Sequence, residues 1–423
     1  MRATHALGCI ADDLTGSVDL AGRLVRDGAT VALHVGVPDR STATDADAVV
    51  VALKSRSIAP KEAIEQSLRA ARWLRAAGCE RLYLKYAATF DSTARGNIGP
   101  VADALMRELG VAYTVLAPSL PEHGRTVVHG TLFVHGVPLA ESAMRNHPIN
   151  PMRESDLRTL IGRQSRGRAA VVPIDTVHEG PDAVQRELEV SAASGATYVV
   201  LDAVSDDDLA VLGQACAPLP LSTGASALAA EILRQLLAVR DNPEAPDSRR
   251  APAVECADPG RAVALAGSCS AATAAQVAVF RQSARSFPLA LAMKAGRPAA
   301  VAEALAWVRS QPAEPLLVYS TPQAGGEHST VNVDSAEVEA AFGELAAALL
   351  HDGFSRFVVA GGETSGAVVQ ALGTRALDIG AEVQPGVPAA FGLTPTGRRV
   401  GVVLKSGNFG YENFFAAALE EIS

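Results

Sequence analysis

The sequence predicts an α/β protein of two domains, each built on a mostly parallel sheet flanked by helices. Three observations carry that reading. Short aliphatic runs alternate with longer helical patterns along most of the chain. Aromatic residues make up only 4% of the 423 residues while 48% are hydrophobic, as expected of buried aliphatic strands. A polar, proline-rich segment, residues 241–252, interrupts the alternation and reads as a linker. At this length two or three domains are expected. The boundary falls between about 240 and 260, giving domains over 1–245 and 246–423.

In the first half, Leu7 to Ala11 reads as a strand and Thr15 to Arg26 as a helix closed by Gly28. Thr30 to Val35 and Ala48 to Leu53 are the next strands. Pro60 opens a helix through Ala77, with proline in its first turn and Gly78 just past its end. Leu82 to Tyr86, Tyr113 to Leu116, Ala170 to Ile174 and Tyr198 to Leu201 continue the strands, and helices over 100–109, 181–194, 205–215 and 225–240 fill the gaps. The stretch from Glu122 to Gly167, rich in His, Pro, Arg and Asn, breaks this rhythm. A stretch that long is functional or carries its own small structure. Its histidines (His123, His129, His135, His147) show no metal-ligand spacing, so a zinc site is not expected. Asp206 to Asp208 reads as a helix cap rather than a metal site.

The second half repeats one grammar three times. Phe357 to Ala360 is an apolar run followed by Gly361-Gly362 and a helical pattern that opens with Thr364 and Ser365. A strand, a glycine turn and a helix start make a place for an anion. The first-turn N–H groups lack helical partners, the helix dipole is positive there, and glycine lets the backbone approach closely. The run 262–266 leads likewise into Gly267-Ser268 and a helix from Ala271 to Phe280, and Val402 to Lys405 leads into Gly407 and a helix from Tyr411 to Ile422. Three such loops in one domain point to a nucleotide. No Gly-Lys-Ser/Thr closes a Walker A loop and no G-x-G-x-x-G follows a strand, which excludes those two nucleotide signatures and disfavours a nicotinamide dehydrogenase.

Chemistry-bearing residues in the first half sit where strands end. Asp12 and Asp13 follow the first strand; one carboxylate suffices to cap the next helix, and the other is a candidate base for an acceptor hydroxyl. Arg56 follows the third strand. Asp91, Ser92 and Arg95 precede the helix that starts near Gly99-Pro100, and Arg125 follows the fifth strand. Each arginine is able to fork a carboxylate with two parallel hydrogen bonds. A small hydroxy acid suits this half and a nucleoside triphosphate the other. Phosphoryl transfer between them, assisted by Mg²⁺, calls for an active site in the interdomain cleft.

The net charge of −9 argues against nucleic acid or an acidic membrane as partner. Cys9, Cys79, Cys216, Cys256 and Cys269 are scattered and odd in number, so they read as reduced small hydrophobes. Asp12 and Asp13 come too soon for a signal-peptide apolar region and no apolar run reaches 18 residues, so a cytoplasmic location is the expectation. Metal ligands and oligomeric state stay open, a homodimer being one option.

Several of these segments match a known pattern. Ile10-Ala-Asp-Asp-Leu-Thr-Gly-Ser17 resembles the opening motif of the four-carbon acid sugar kinases, usually written IADDFTGA. Lys85 to Pro100 and Met144-Arg-Asn-His-Pro148 resemble the 3-oxo-tetronate branch of that family. Gly267-Ser-Cys-Ser270, Gly361-Gly-Glu-Thr-Ser-Gly366 and Lys405-Ser-Gly-Asn-Phe-Gly410 resemble its nucleotide-domain motifs. The resemblance implies an N-terminal acid-sugar domain, a C-terminal ATP domain, and phosphorylation of the terminal (4-) hydroxyl of 3-oxo-tetronate with ATP and Mg²⁺. It places ATP contacts at Ser268, Gly362, Glu363, Thr364, Ser365 and Gly407. Substrate contacts fall at Asp12, Asp13, Arg56, Asp91, Ser92, Arg95 and Arg125. Leu14, Arg95 and His123 depart from the usual Phe, Lys and Asn of the pattern. The alternatives are the same chemistry on threonate or erythronate, and a non-catalytic sensor of acid sugar and nucleotide.

Overall fold

A computed structural model describes residues 5–38, 46–146, 150–240, 257–258, 260–311, 315–320 and 334–422. The expected linker 241–252, together with Cys256, His147 and Pro148, lies outside the described residues. The chain divides into two compact units, Met1–Ala251 and Pro252–Ser423.

The first unit holds strands β1 (Leu7–Ala11), β2 (Val31–Val35), β3 (Ala48–Ala52), β4 (Leu82–Lys85) and β5 (Thr114–Ala117). A small antiparallel sheet follows, made of β6 (Arg125–Val128), β7 (Thr131–Val134) and β8 (Val137–Pro138). The main sheet then continues with β9 (Arg168–Val172), β10 (Ala196–Leu201) and β11 (Leu221–Gly224). Its order is β2-β3-β1-β4-β11-β5-β10-β9, every pairing parallel. The chain fills one side of β1 first and then crosses to the other at β4, which makes the carboxyl ends of β1, β3 and β4 a topological switch point. Register keeps those ends level: Ala11 lies opposite both Ala52 and Lys85, and Lys85 opposite Gly224.

Helices α1 (Leu14–Arg26), α2 (Pro60–Ala76) and α3 (Ile98–Leu109) flank this sheet. Ile10, Val49, Val51, Leu74, Leu84, Leu105 and Leu116 lie within one buried aliphatic core. Runs of fully buried Val, Leu and Ala on both faces of a strand are what a helix-covered parallel sheet requires.

The irregular stretch resolves into the small sheet. His129-Gly130 and His135-Gly136 are two-residue turns with positive φ at both positions (50° and 77°, 50° and 78°). Such turns match the right-handed twist of hairpin strands. Asp202, fully buried past the end of β10, accepts hydrogen bonds from the N–H groups of His129 (2.5 Å), Gly130 (2.9 Å) and Ile174 (3.1 Å), so the hairpin is clamped to the main sheet. The expected strand at 170–174 lies two residues earlier, with Pro173 capping a short helix, Ile174–His178. Ser205, not an aspartate, caps the helix Asp206–Cys216, and Asp208 closes the capping box.

The second unit has β12 (Arg261–Ala266), β13 (Arg285–Pro288), β14 (Leu316–Tyr319), β15 (Phe354–Ala360), β16 (Ala376–Gln384), β17 (Val387–Leu393) and β18 (Arg399–Lys405). Its order is β13-β14-β12-β15-β18-β17-β16. The first five are parallel, whereas β18, β17 and β16 run antiparallel, a meander that the strand-helix alternation did not foretell. Ala266, Ala360 and Lys405 are level, so the three glycine loops leave adjacent parallel strands side by side. Phe280, Phe414 and Phe415 close the core beneath them. No helix among the described residues is long and apolar enough to cross a membrane.

Candidate functional site

In the first unit the switch point gathers charge. The Arg56 guanidinium forks Asp12, donating from Nε to Oδ2 (2.9 Å) and from Nη2 to Oδ1 (2.7 Å), and Nη2 also meets Asp13 Oδ1 at 2.7 Å. Its Nη1 lies 3.7 Å from Asp91 Oδ2. The fork expected to hold a ligand carboxylate thus holds Asp12 instead, because the 53–56 loop returns over the end of β1: the N–H groups of Ser55 and Arg56 both donate to Asp12 O. Asn97 fixes that loop from below, its Nδ2 donating to the carbonyls of Ser55 (2.7 Å), Ile58 (2.9 Å) and Arg56 (3.2 Å).

The two carboxylates differ in environment. Asp13 caps α1, accepting from Gly16 N (3.1 Å) and Thr15 Oγ1 (2.7 Å). Burial pushes its carboxyl up, but the charges of Arg56 and Lys85 and those hydrogen bonds outweigh burial and hold it below the usual carboxylate range. For Asp12 burial wins over Arg56, and the neighbouring Asp13 charge adds to it, so its carboxyl is raised. Asp12 is therefore the more basic of the pair and the one free of the helix cap.

Asp12, Ser55, Arg56, Asp91, Ser92 and Asn97 form the polar lining of a cavity of about 20 Å³, floored by Leu84, Tyr86, Ile98 and Val101. Ser92 is buried and accepts from Gln164 Nε2 (2.9 Å), which binds Thr93 O as well, so its hydroxyl is part of the loop's own framework. Arg95 is exposed at the loop's outer edge and does not line this cavity.

A second cluster forms at the same sheet end. Lys85, buried at the tip of β4, places its ammonium 3.9 Å from Asp19 Oδ2 of α1. A Cβ on Gly16 would stand 2.0 Å from that ammonium, which explains glycine in the Asp-Asp-Leu-Thr-Gly run. Burial pushes the Asp19 carboxyl up, against the charges of Lys85 and His123, and pushes the His123 imidazole down, towards the neutral form. Arg125, on β6, is buried with its Nη1 on the His123 carbonyl. No carboxylate among the described residues pairs with it, and burial alone lowers its pKa. A buried guanidinium without a counter-charge is costly unless an anion joins it. Sequence reasoning missed Lys85, Asp19, Asn97 and Gln164. Lys85 and Asn97 both fall in the Lys85 to Pro100 motif, and Lys85 left a further signal, a charge closing the apolar strand Leu82–Lys85.

In the second unit the three loops interlock. Gly267 N and Ser268 N donate to Ala360 O, and Gly361 N to Lys405 O. A Cβ on Gly267 would lie 2.1 Å from Thr364 Oγ1, and one on Gly407 2.4 Å from Ser268 Oγ. Gly361 sits at φ 126°, a region favouring glycine, and caps the helix Gly362–Leu372. Gly362, Glu363 and Thr364 form its first turn, where N–H groups have no intrahelical acceptor. Thr364 and Ser365 are buried, and Ser365 N donates to Gly361 O as Ser268 N does to Ala360 O, so the backbone N–H groups of these two serines are the least available of the expected contacts. Ser270 Oγ and Thr273 Oγ1 both donate to Gly407 O (2.5 and 2.9 Å), pinning the third loop to the helix Ala271–Phe280. The tight glycine contacts and first-turn donors fit a phosphate chain. No group of three or more His, Cys, Asp or Glu side chains that could hold a metal ion occurs among the described residues.

Two family models match the chain. Residues 7–232 match a sugar-binding N-terminal domain and residues 263–415 a nucleotide-binding C-terminal domain. The chain is 45% identical over 427 residues to a 3-oxo-tetronate kinase of Burkholderia multivorans, covering 98% of this chain and 97% of the relative. It is 44% identical over 424 residues to a 3-oxo-tetronate kinase of Salmonella typhimurium, covering 98% and 99%. A crystal structure from Salmonella typhimurium LT2, provisionally named a tRNA synthase, aligns with a TM-score of 0.83 at 42% identity over 98% of this chain and 99% of that one. One of a Haemophilus influenzae protein aligns at 0.74 and 39% identity, covering 98% and 100%. Similarity of this extent through both units shows that the chain belongs to the four-carbon acid sugar kinase family and is an enzyme, a carbohydrate kinase.

Proposed function

We propose that this kinase transfers the γ-phosphoryl group of ATP to the terminal hydroxyl of 3-oxo-tetronate, forming the 4-phosphate and ADP. The observation that carries the acid as acceptor is Arg125, a buried guanidinium with no carboxylate partner among the described residues, at the sheet end where Asp12 and Asp13 stand. The choice of 3-oxo-tetronate among four-carbon acids rests on the names of the full-length relatives.

In this reading Arg125 binds the substrate carboxylate. Asp12 takes the proton of the attacking hydroxyl, its basicity raised by burial while Arg56 holds its carboxylate in place. Asp13 fixes the start of α1, and the Lys85 ammonium completes the positive side of the site. The Ser268 side chain and the backbone of Gly362, Glu363, Thr364 and Gly407 cradle the triphosphate. Mg²⁺ would be held largely by phosphates and water with one or two carboxylates. Glu363, in the first turn of the phosphate helix, is the carboxylate offered for that role. When bound, the ion neutralises the developing phosphate charge.

The test is a coupled ADP-release assay with Mg-ATP against 3-oxo-tetronate, threonate and erythronate. A kcat/KM for 3-oxo-tetronate at least tenfold above the other two is expected. A preference for threonate or erythronate would reassign the acceptor, and no turnover with any of them would remove the acid-kinase reading.

A further inference from the structure

Lys405 ends β18 and is fully buried, yet no carboxylate among the described residues pairs with it. Its ammonium donates to Thr273 Oγ1 (2.9 Å), Gly407 O (3.0 Å) and Ser406 O (3.1 Å), which uses all three of its donors. Its back lies over the Phe414 ring, 5.6 Å from the centroid. A buried lysine held by neutral oxygens alone is a costly arrangement to keep for packing, and burial lowers its pKa to about 7.

The consequence lies in the direction of the peptide groups. A trans peptide points its N–H opposite to its C=O. The Ser406 and Gly407 carbonyls are drawn onto Lys405, and the Gly407 carbonyl also accepts from Ser270 Oγ and Thr273 Oγ1. The following N–H groups, those of Gly407 and Asn408, therefore face away from Lys405. Neither N–H has a hydrogen-bond partner among the described residues. Successive outward N–H groups form an anion-binding concavity.

We propose that Lys405 is a positioning residue for the nucleotide: by holding the Ser406 and Gly407 carbonyls inward, it aims the N–H groups of Gly407 and Asn408 at a phosphate of ATP. The proposal rests on the nucleotide reading of the second unit. It adds a residue that touches no phosphate itself, since every Lys405 donor is engaged within the protein. Thr273 is its partner, receiving one Lys405 hydrogen bond and giving its own to the Gly407 carbonyl.

The test is binding of ADP and ATP to the full chain by titration calorimetry at pH 6.5, with steady-state kinetics alongside. Wild-type protein that binds neither nucleotide would remove the nucleotide reading itself. Given wild-type binding, Lys405→Met is expected to raise the nucleotide Kd and the ATP KM at least tenfold. The acid KM should stay within about twofold and kcat at saturating ATP within about threefold. A folded Lys405→Met variant that binds nucleotide within twofold of wild type overturns the proposal. If that variant does not fold, Thr273→Val and Thr273→Ser carry the test. The valine, without a hydroxyl, should weaken nucleotide binding at least threefold, and the serine should bind as wild type. Equal binding by both Thr273 variants overturns the proposal, because the hydroxyl linking Lys405 to the loop would then be idle.

Discussion

At the residue scale, the adjacent carboxylates separate into two jobs. Asn caps helices as well as Asp does, so Asp13→Asn keeps the start of α1 while removing the charge and one of two acceptor oxygens. Asp12→Asn removes the more basic carboxylate and leaves the cap untouched. Loss of a general base costs about 10²–10⁴ in rate. Asp12→Asn is therefore expected to lower kcat by at least about 10², and Asp13→Asn by less, both with near-normal ATP binding by calorimetry. A larger loss in Asp13→Asn would exchange the roles.

Arg125 makes a second prediction. Arg125→Lys keeps the charge but not the planar fork. Losing one charge-assisted hydrogen bond costs about 1.5–3 kcal/mol, or roughly 10- to 150-fold in kcat/KM for the acid, with little change in the ATP KM. An ATP KM that rises while the acid is spared would mean that the two halves have been assigned the wrong way round.

At the element scale, function depends on loops pressed together at the ends of level strands. Gly267→Val puts side-chain carbon into the space of Thr364 Oγ1, 2.1 Å from where a Cβ would begin. The phosphate helix must then move away from the first loop. The ATP KM should rise at least tenfold while the acid still protects the protein against heat, a combination read by kinetics and thermal shift together. Unchanged nucleotide kinetics would reduce this loop to a chain turn. These strands and glycine loops were legible because aliphatic runs and glycines are local signals. The 125–138 sheet was not. Its strands are two to four residues long, and its turns use histidine at positive φ, which defeats the usual Asn-Gly cue. The meander of β16, β17 and β18 was equally hidden, because aliphatic strands look alike whichever way they pair.

At the scale of the whole molecule, each unit has its own core and, in the proposed function, its own ligand. Unfolding is then not one two-state event, and each ligand should protect its own unit. At a hundred times its Kd a ligand adds about 2.7 kcal/mol, which for units of this size raises Tm by very roughly 5–10 °C. Differential scanning calorimetry should show ADP raising one transition and the acid the other. A single transition raised equally by either ligand would overturn this independence.

What the sequence determined by itself was the alternation of strand and helix, the phosphate-loop grammar, and the placing of charged residues at strand ends. All of these depend on neighbours a few positions apart. It also carried the family, through motifs spread over both halves. The tertiary structure decided which charges meet. Arg56 turned from a substrate fork into the clamp on Asp12, because a loop 44 residues away in sequence folds over the end of β1. Lys85 and Lys405 became central only when parallel register put their strand ends level with Asp12 and with the Gly361 turn. Burial, which raises the Asp12 carboxyl and lowers the Arg125 guanidinium, comes from the whole packed core, and no local pattern encodes it.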